Sequence, residues 1–217
     1  MKTGRLIVIE ACCDGVGKTT QYNSLIRYLR KSGEDVVGHH FPTYNRSHGQ
    51  AVVSYLAGHF GEKEKLSPYL INSLYAHDRA VEYHLHLKSE LEQGKTIVLD
   101  RYTTSSMIYQ TASFESIEKT NEFIKYIEDF EYNKLQIEKP DLVLFLSVDF
   151  EIAKEMREKR NQGKTEDIHE SDEIFLKKVW DNSHYLADYL KWTKIDCSPN
   201  NELLPIYEIS NKIQKYI

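Results

Sequence analysis

Residues 5–20 read RLIVIEACCDGVGKTT, and this stretch decides the fold. Arg5 to Ala11 is a short run rich in β-branched residues, the pattern of a buried strand. From Lys18 to Lys31, Leu25, Ile26 and Leu29 recur at helical spacing, and Gly33 is suited to end the helix. Strand, glycine-containing loop and helix, in this order, are the setting of the phosphate loop, G-x-x-x-x-G-K-[ST]. Gly17, Lys18 and Thr19 match it, while Cys12 stands where the first glycine would. The loop and helix start, Cys13, Asp14, Gly15, Val16, Gly17, Lys18, Thr19 and Thr20, would turn backbone N–H groups toward phosphate oxygens. Lys18 would reach the β- and γ-phosphates, and the Thr19 hydroxyl would hold Mg2+. A side chain at Cys12 implies a strained turn, unless an extra residue between Glu10 and Asp14 re-routes it. The plain alternative is a turn with chance glycines. Gly-x-Gly-Lys-Thr-Thr directly between strand and helix argues against that.

Outward from this unit the pattern repeats. Asp35–Phe41 reads as a second strand stopped by Pro42. Helices are expected over Gly49–Phe60 and Pro68–Gln93, the second ended by Gly94. Thr96–Asp100 is a buried-type strand and Thr103–Thr111 a short helix. Ser116–Ile137 is amphipathic, and Pro140 separates it from Asp141–Val148, the most apolar strand. A helix over Phe150–Arg160 and one from Ser171 to Leu190 precede a last strand, Trp192–Cys197, and a final helix, Glu202–Ile217. Alternating strands and helices predict an α/β fold with a parallel sheet and helices on both faces. Ligands of such sheets sit at the carboxyl ends of the strands. No repeat or linker divides the 217 residues, so one domain is expected.

Composition narrows the partners. The net charge of −5 leaves no basic surface of the kind that holds a nucleic-acid backbone. No apolar run reaches the length of a membrane span. The three cysteines include an adjacent pair, Cys12 and Cys13, and form neither a disulfide framework nor a C-x-x-C metal site. A reducing, cytoplasmic setting is expected. Cys12 and Cys13 invite a redox-sensor reading, because a helix N-terminus lowers a thiol's pKa; small loop residues are the plainer reading.

Asp100 ends a strand of apolar residues, in the manner of a magnesium-site carboxylate, and Arg101 follows at once. A guanidinium there can bridge a donor's transferring phosphoryl and an acceptor phosphate. The ordered set IVIE, DGVGKTTQ, Phe41-Pro42, DRYTTSSMIYQ and KPDLVLFLSV resembles the thymidylate kinases over nearly the whole chain, and DRYTTS, DFEYNKL and DIHE are similar to a bacterial branch of them. The resemblance implies a phosphate-loop NTPase fold with a five-stranded parallel sheet, usually as a homodimer packed through helices. It implies ATP as donor and dTMP as acceptor. Arg101 resembles the arginine touching the acceptor and transferring phosphates. Ser105, Ser106, Tyr109 and Gln110 fall where that motif lines sugar and base. Tyr75 and Arg79, four apart on one helix face, resemble the aromatic that stacks on thymine and the arginine that bonds its O4. Asp14 resembles the carboxylate near the deoxyribose 3′-OH. Phe41 and Pro42 match the family's Phe-Pro. Tyr44 stands where many members carry an arginine, which leaves Arg46 as the nearest phosphate contact.

Residues 157–170, REKRNQGKTEDIHE, look like the family's lid, with Arg157, Arg160 and Lys164 as candidate cations for the transferring phosphoryl. Some members place that arginine in the phosphate loop; here Gly15 and Val16 stand there. A phosphate monoester is largely ionised near neutrality, its second pKa being about 6. In-line transfer to it therefore requires positioning and charge neutralisation rather than a general base. A deoxynucleoside kinase would need a carboxylate after the second strand, where His39-His40-Phe41-Pro42 has none. A GTPase would carry N-K-x-D, and Asn133-Lys134-Leu135-Gln136 and Asn211-Lys212-Ile213-Gln214 both lack the aspartate. The remaining alternatives are a kinase for another nucleoside monophosphate and a phosphate-loop protein that binds nucleotide with weak turnover.

Overall fold

The computed structural model of the chain describes residues 3–62, 65–161 and 173–217. Strand β1 spans Arg5–Ala11, helix α1 Lys18–Lys31 and strand β2 Val36–His40. A 3-10 turn, Ser47–Gly49, leads into α2, Gln50–Leu56. Helix α3, Pro68–Glu82, continues through a π-helical turn, Tyr83–Leu87, into α4, Lys88–Glu92. β3 is Thr96–Asp100 and α5 Thr103–Thr111. α6, Ile117–Ile127, runs into a second π-helical turn, Glu128–Lys134. Then come β4, Leu142–Ser147, α7, Phe150–Asn161, and α8, Glu173–Tyr189. β5, Thr193–Asp196, and α9, Ile206–Gln214, complete the described elements.

The five strands form one sheet in the order β2-β3-β1-β4-β5, with every pairing parallel. Period-two alternation on β1 divides its side chains between two cores. Ile7, Ile9 and Ala11 join Leu25 and Leu29 of α1 and Ile209 and Ile213 of α9. Leu6 and Val8 join Tyr83, Leu87 and Leu91 on the other face. Both faces being covered, β1 is apolar on both sides, as its sequence predicts. A third cluster, including Ile108, Phe123, Ile124 and Val179, packs α5, α6 and α8 together.

Several expected helices are shorter. The one expected to reach Phe60 stops at Leu56, and Gly58 at φ 77 breaks helical geometry just beyond. The C-terminal helix starts at Ile206 rather than Glu202, because Pro205 precedes it and restricts the residue before itself. The span expected as one helix from Pro68 to Gln93 holds, with a π turn inside it, and Gly94 at φ 86 follows its end.

Because the strands are parallel, all their carboxyl ends meet along one edge. Ile9 of β1 pairs with Asp100 of β3, which pairs with His40 of β2. That row is the floor of the site.

Candidate active site

The loop between β1 and α1 turns on Gly15 and Gly17, both at φ 85. Cys12 is not among the residues with positive φ. Its N–H donates to the Leu146 carbonyl at 3.0 Å, and its thiol lies 3.6 Å from the Val148 carbonyl. The strain expected at Cys12 is therefore absent, because the chain stays paired to β4 there and bends only at the glycines. A Cβ on Gly15 would sit 3.1 Å from Cα of Arg157, so α7 packs directly on the loop. Cys13 and Val16 are buried, and Thr20 is exposed. The hydrogen bond with Cys12 and then burial push the Cys13 thiol well up, against the lowered value that the redox reading needs.

Lys18 Nζ donates to Asp100 Oδ1. Thr19 Oγ1 donates to Asp100 Oδ2 at 2.8 Å, and His40 Nδ1 lies 3.5 Å from the same oxygen. Asp100 is 1% exposed. Burial alone would push its carboxyl up, but His40 and the Lys18 ammonium outweigh it and hold it well below the usual carboxylate range.

Above this floor opens a cavity of about 270 Å³. Asp14, Lys18 and Thr19 line it beside the loop, and Phe41 and Pro42 form one wall. Arg101, Ser105, Ser106, Tyr109 and Gln110 line it from the β3–α5 side, Tyr75 and Arg79 from α3, and Arg160 from α7. His40 and Tyr44 also face it. Thirteen of the residues singled out in the sequence thus share one cavity.

Arg101 has φ 70, the left-handed region uncommon for a side-chain-bearing residue. Its N–H donates to the Ile9 carbonyl at 3.3 Å. Its Nη2 donates to Asp14 Oδ1, its Nη1 to Ser105 Oγ at 3.4 Å, and its guanidinium lies 5.5 Å from the Tyr109 ring centroid. Tyr109 Oη donates to Asp14 Oδ2 at 2.8 Å. Burial works against the Asp14 charge, yet Arg101 and Lys18 outweigh it and hold that carboxyl well below its usual range. Beneath, the buried Glu10 carboxylate accepts from Thr104 Oγ1 at 2.8 Å and Ser105 Oγ at 2.5 Å. This carboxylate ties the start of α5 to β1.

At the far end Arg79 is 2% exposed. Its Nε and Nη2 each donate to Glu131 at 2.7 Å, and Nη2 also donates to Ser106 Oγ at 3.0 Å. Burial disfavours its charge, and the adjacent Glu131 carboxylate more than restores it. One residue earlier, Asp78 Oδ2 accepts from the Thr43 N–H at 2.9 Å, and its Oδ1 accepts from the Thr43 hydroxyl.

Arg46 is not part of the cavity lining. Its Nε lies 3.8 Å from Glu82 and its Nη1 3.4 Å from His86 Nε2. Arg157 is buried under the phosphate loop, and its Nη1 has no hydrogen-bond partner among the described residues. Lys164 and the remainder of the expected lid, 162–170, lie outside the described residues. Sequence reasoning missed His40, Glu10, Asp78 and Glu131. Only Asp78, adjacent to Arg79, carried a local hint.

Comparison with known proteins bears on this cavity. The family model described as Thymidylate kinase matches residues 13–205. A thymidylate kinase of Prochlorococcus marinus (strain MIT 9312) is 33% identical, covering 98% of this chain and 94% of its own length. One from Synechococcus sp. (strain CC9605) is 28% identical, covering 89% of each chain. One from Mycobacterium tuberculosis (strain ATCC 25618 / H37Rv) is 31% identical, covering 77% of this chain and 78% of its own.

Proposed function

The chain belongs to the thymidylate kinase family, and from that premise we propose how its cavity carries out the transfer of the γ-phosphoryl of ATP to dTMP. The enzyme is an ATP-dependent phosphotransferase that makes dTDP. The observation that carries the mechanism is a single cavity lined at once by Lys18 and Thr19, by Arg101, and by Tyr75 and Arg79. Donor phosphates, acceptor phosphate and acceptor base each find their chemistry along it.

ATP lies on the loop from Cys13 to Thr20, with backbone N–H groups and the α1 N-terminus facing its phosphates. Lys18 exchanges Asp100 for phosphate oxygens. Thr19 and Asp100 supply two hard oxygens from the loop and the end of β3, a set that suits Mg2+ held mainly by nucleotide oxygens. When bound there the ion would neutralise charge on the phosphates.

Arg101, held in place by Asp14 and Ser105, neutralises the acceptor phosphate and the transferring group. Arg157, whose backbone packs against Gly15 and whose buried Nη1 has no hydrogen-bond partner among the described residues, and Arg160, which lines the cavity, supply charge from the α7 side. α7 carries the first residues, 157–161, of the lid expected at about 157–170. Tyr75 stacks on the base and Arg79 donates to its O4. Ser105, Ser106, Tyr109 and Gln110 shape the sugar end, with Asp14 near the 3′-OH. Phe41 and Pro42 form the wall. Arg46, outside the cavity, would need its loop to move before it touched phosphate.

The protein works as a homodimer. Half-exposed Tyr69 and Leu70 at the start of α3 offer an apolar contact, which sedimentation velocity would test. Buried, unpaired cysteines suit a reducing cytoplasm, and no described helix is long and apolar enough to cross a membrane. The activity is tested by ADP release with ATP and Mg2+, offering dTMP, dUMP, dCMP, dGMP and thymidine separately. Release dependent on dTMP is expected. ATP binding without release for any acceptor would leave a nucleotide-binding protein instead.

A further inference from the structure

We propose that Glu131 is a specificity-determining positioning residue: it fixes the Arg79 guanidinium so that Nη1 selects an acceptor base with a carbonyl, rather than an amino group, at its 4-position. The inference rests on the reading of Arg79 as the base contact.

The geometry accounts for the donors one by one. Nε has a single hydrogen, and Glu131 Oε2 accepts it at 2.7 Å. Nη2 donates to Glu131 Oε1 at 2.7 Å and to Ser106 Oγ at 3.0 Å, with Asn72 Oδ1 at 3.5 Å. No described residue accepts from Nη1 within hydrogen-bond distance. Arg79 lines the cavity, so Nη1 is the donor left for a ligand. Side-on pairing fixes the guanidinium plane as well as its place.

The cost of this arrangement points to function. Arg79 and Glu131 are 2% and 0% exposed. A buried ion pair is seldom more stabilising than apolar side chains of similar size, and α5, α6 and α8 already share an apolar cluster. Glu131 is also singled out among its neighbours. It lies in the π-helical turn Glu128–Lys134, a distortion often found at functional sites. Glu128 and Asp129 of the same turn pair with surface lysines, Lys139 and Lys134. Of the three carboxylates in this turn, only Glu131 is buried.

A guanidinium donates and never accepts. An O4 carbonyl satisfies Nη1. An amino group there sets donor against donor and leaves both unpaired, an error that buried sites penalise heavily. Glutamine at 131 would present its own NH2 to Nε or Nη2. One of the paired bonds would be lost, and the plane would be free to turn.

The test is steady-state kinetics of Glu131→Gln and Glu131→Asp with ATP and either dTMP or dCMP. For Glu131→Gln, the KM for dTMP should rise about tenfold or more, the KM for ATP should stay within about twofold, and dTMP-over-dCMP preference should fall about tenfold or more. Glu131→Asp, which keeps the charge, should recover part of both. A pair that merely supports the fold would lower melting temperature and active fraction while leaving KM and base preference at wild-type values; that result overturns the inference. Should Glu131→Gln fail to fold, wild-type KM and preference in Glu131→Asp would overturn it equally. Wild-type enzyme that used dCMP as readily as dTMP would remove Arg79 as base reader, and the inference would fall with that reading.

Discussion

Replacing Lys18 by methionine separates charge from bulk at the floor of the site. Lys18 is 8% exposed and its ammonium sits on Asp100, itself 1% exposed. Methionine keeps the stem and removes the counter-charge. Breaking one side of a buried pair costs about 3–5 kcal/mol. Thr19 and His40 still face the carboxylate, so the lower end, about 3 kcal/mol, is expected. For a chain of this size that is a fall in Tm of about 6–12 °C. The wild-type Asp100 carboxyl is held below its unfolded value, so its stabilisation is complete above about pH 5 and is lost as pH falls through the folded value. Without Lys18 the folded value rises, and the acid limb of the stability curve moves to higher pH. Asp100→Asn added to Lys18→Met should recover part of the lost Tm, since no unpaired charge remains, yet leave turnover low. Turnover of Lys18→Met should fall about 10²–10³-fold, the effect of removing one donor aimed at transition-state charge. Thermal unfolding by circular dichroism from pH 3 to 8, with ADP release at pH 7.5, reads both. An unchanged Tm together with kcat within tenfold of wild type would refute the assignment of Lys18 to both roles.

Three further outcomes are expected. Gly15→Ala must adopt φ 85 and bring its Cβ to 3.1 Å from Arg157 Cα; a loss of about 1–3 kcal/mol and a KM for ATP raised more than that for dTMP should follow, and unchanged values of both would show the loop to be more accommodating than its packing implies. Tyr109→Phe deletes the 2.8 Å bond to Asp14; kcat/KM for dTMP should drop about fivefold, the effect of about 1 kcal/mol, and a wild-type value would remove Tyr109 from the Asp14–Arg101 network. Cys12, Cys13 and Cys197 are at most 2% exposed, with the Cys197 thiol pushed up to about 12 by burial. A disulfide reagent at pH 8 should therefore titrate the unfolded chain far faster than the native one, and rapid native reaction would revive the redox reading.

What the sequence made legible is what depends on neighbours along the chain. Parallel strands buried on both faces announce themselves as apolar runs, and the phosphate loop is local backbone geometry, so β1, β3, β4 and Gly17-Lys18-Thr19 could be read directly. The supporting carboxylates could not. Glu10 meets Ser105 across 95 positions and Arg79 meets Glu131 across 52, and no periodicity marks either pair. The π turns at 83–87 and 128–134 left no local signal either. Cys12 misled because a one-for-one match to the motif placed glycine geometry where the chain instead remains in sheet pairing. His40 went unnoticed because its importance comes only from lying beside Asp100 in the strand register.

The clasp between Asp78 and Thr43 has a consequence for anyone redesigning this pocket. The loop after Pro42 and the helix bearing Arg79 look like separable modules, one a wall and the other a reader of the base. They share one carboxylate. A loop grafted in from elsewhere without a hydroxyl at position 43 would leave this buried carboxylate, one residue from Arg79, short of one donor, at a cost of about 1–3 kcal/mol. The graft would then be judged a poor wall when its real fault is an unpaid obligation to α3. Residues 43 and 78 are best varied together, as one heritable unit.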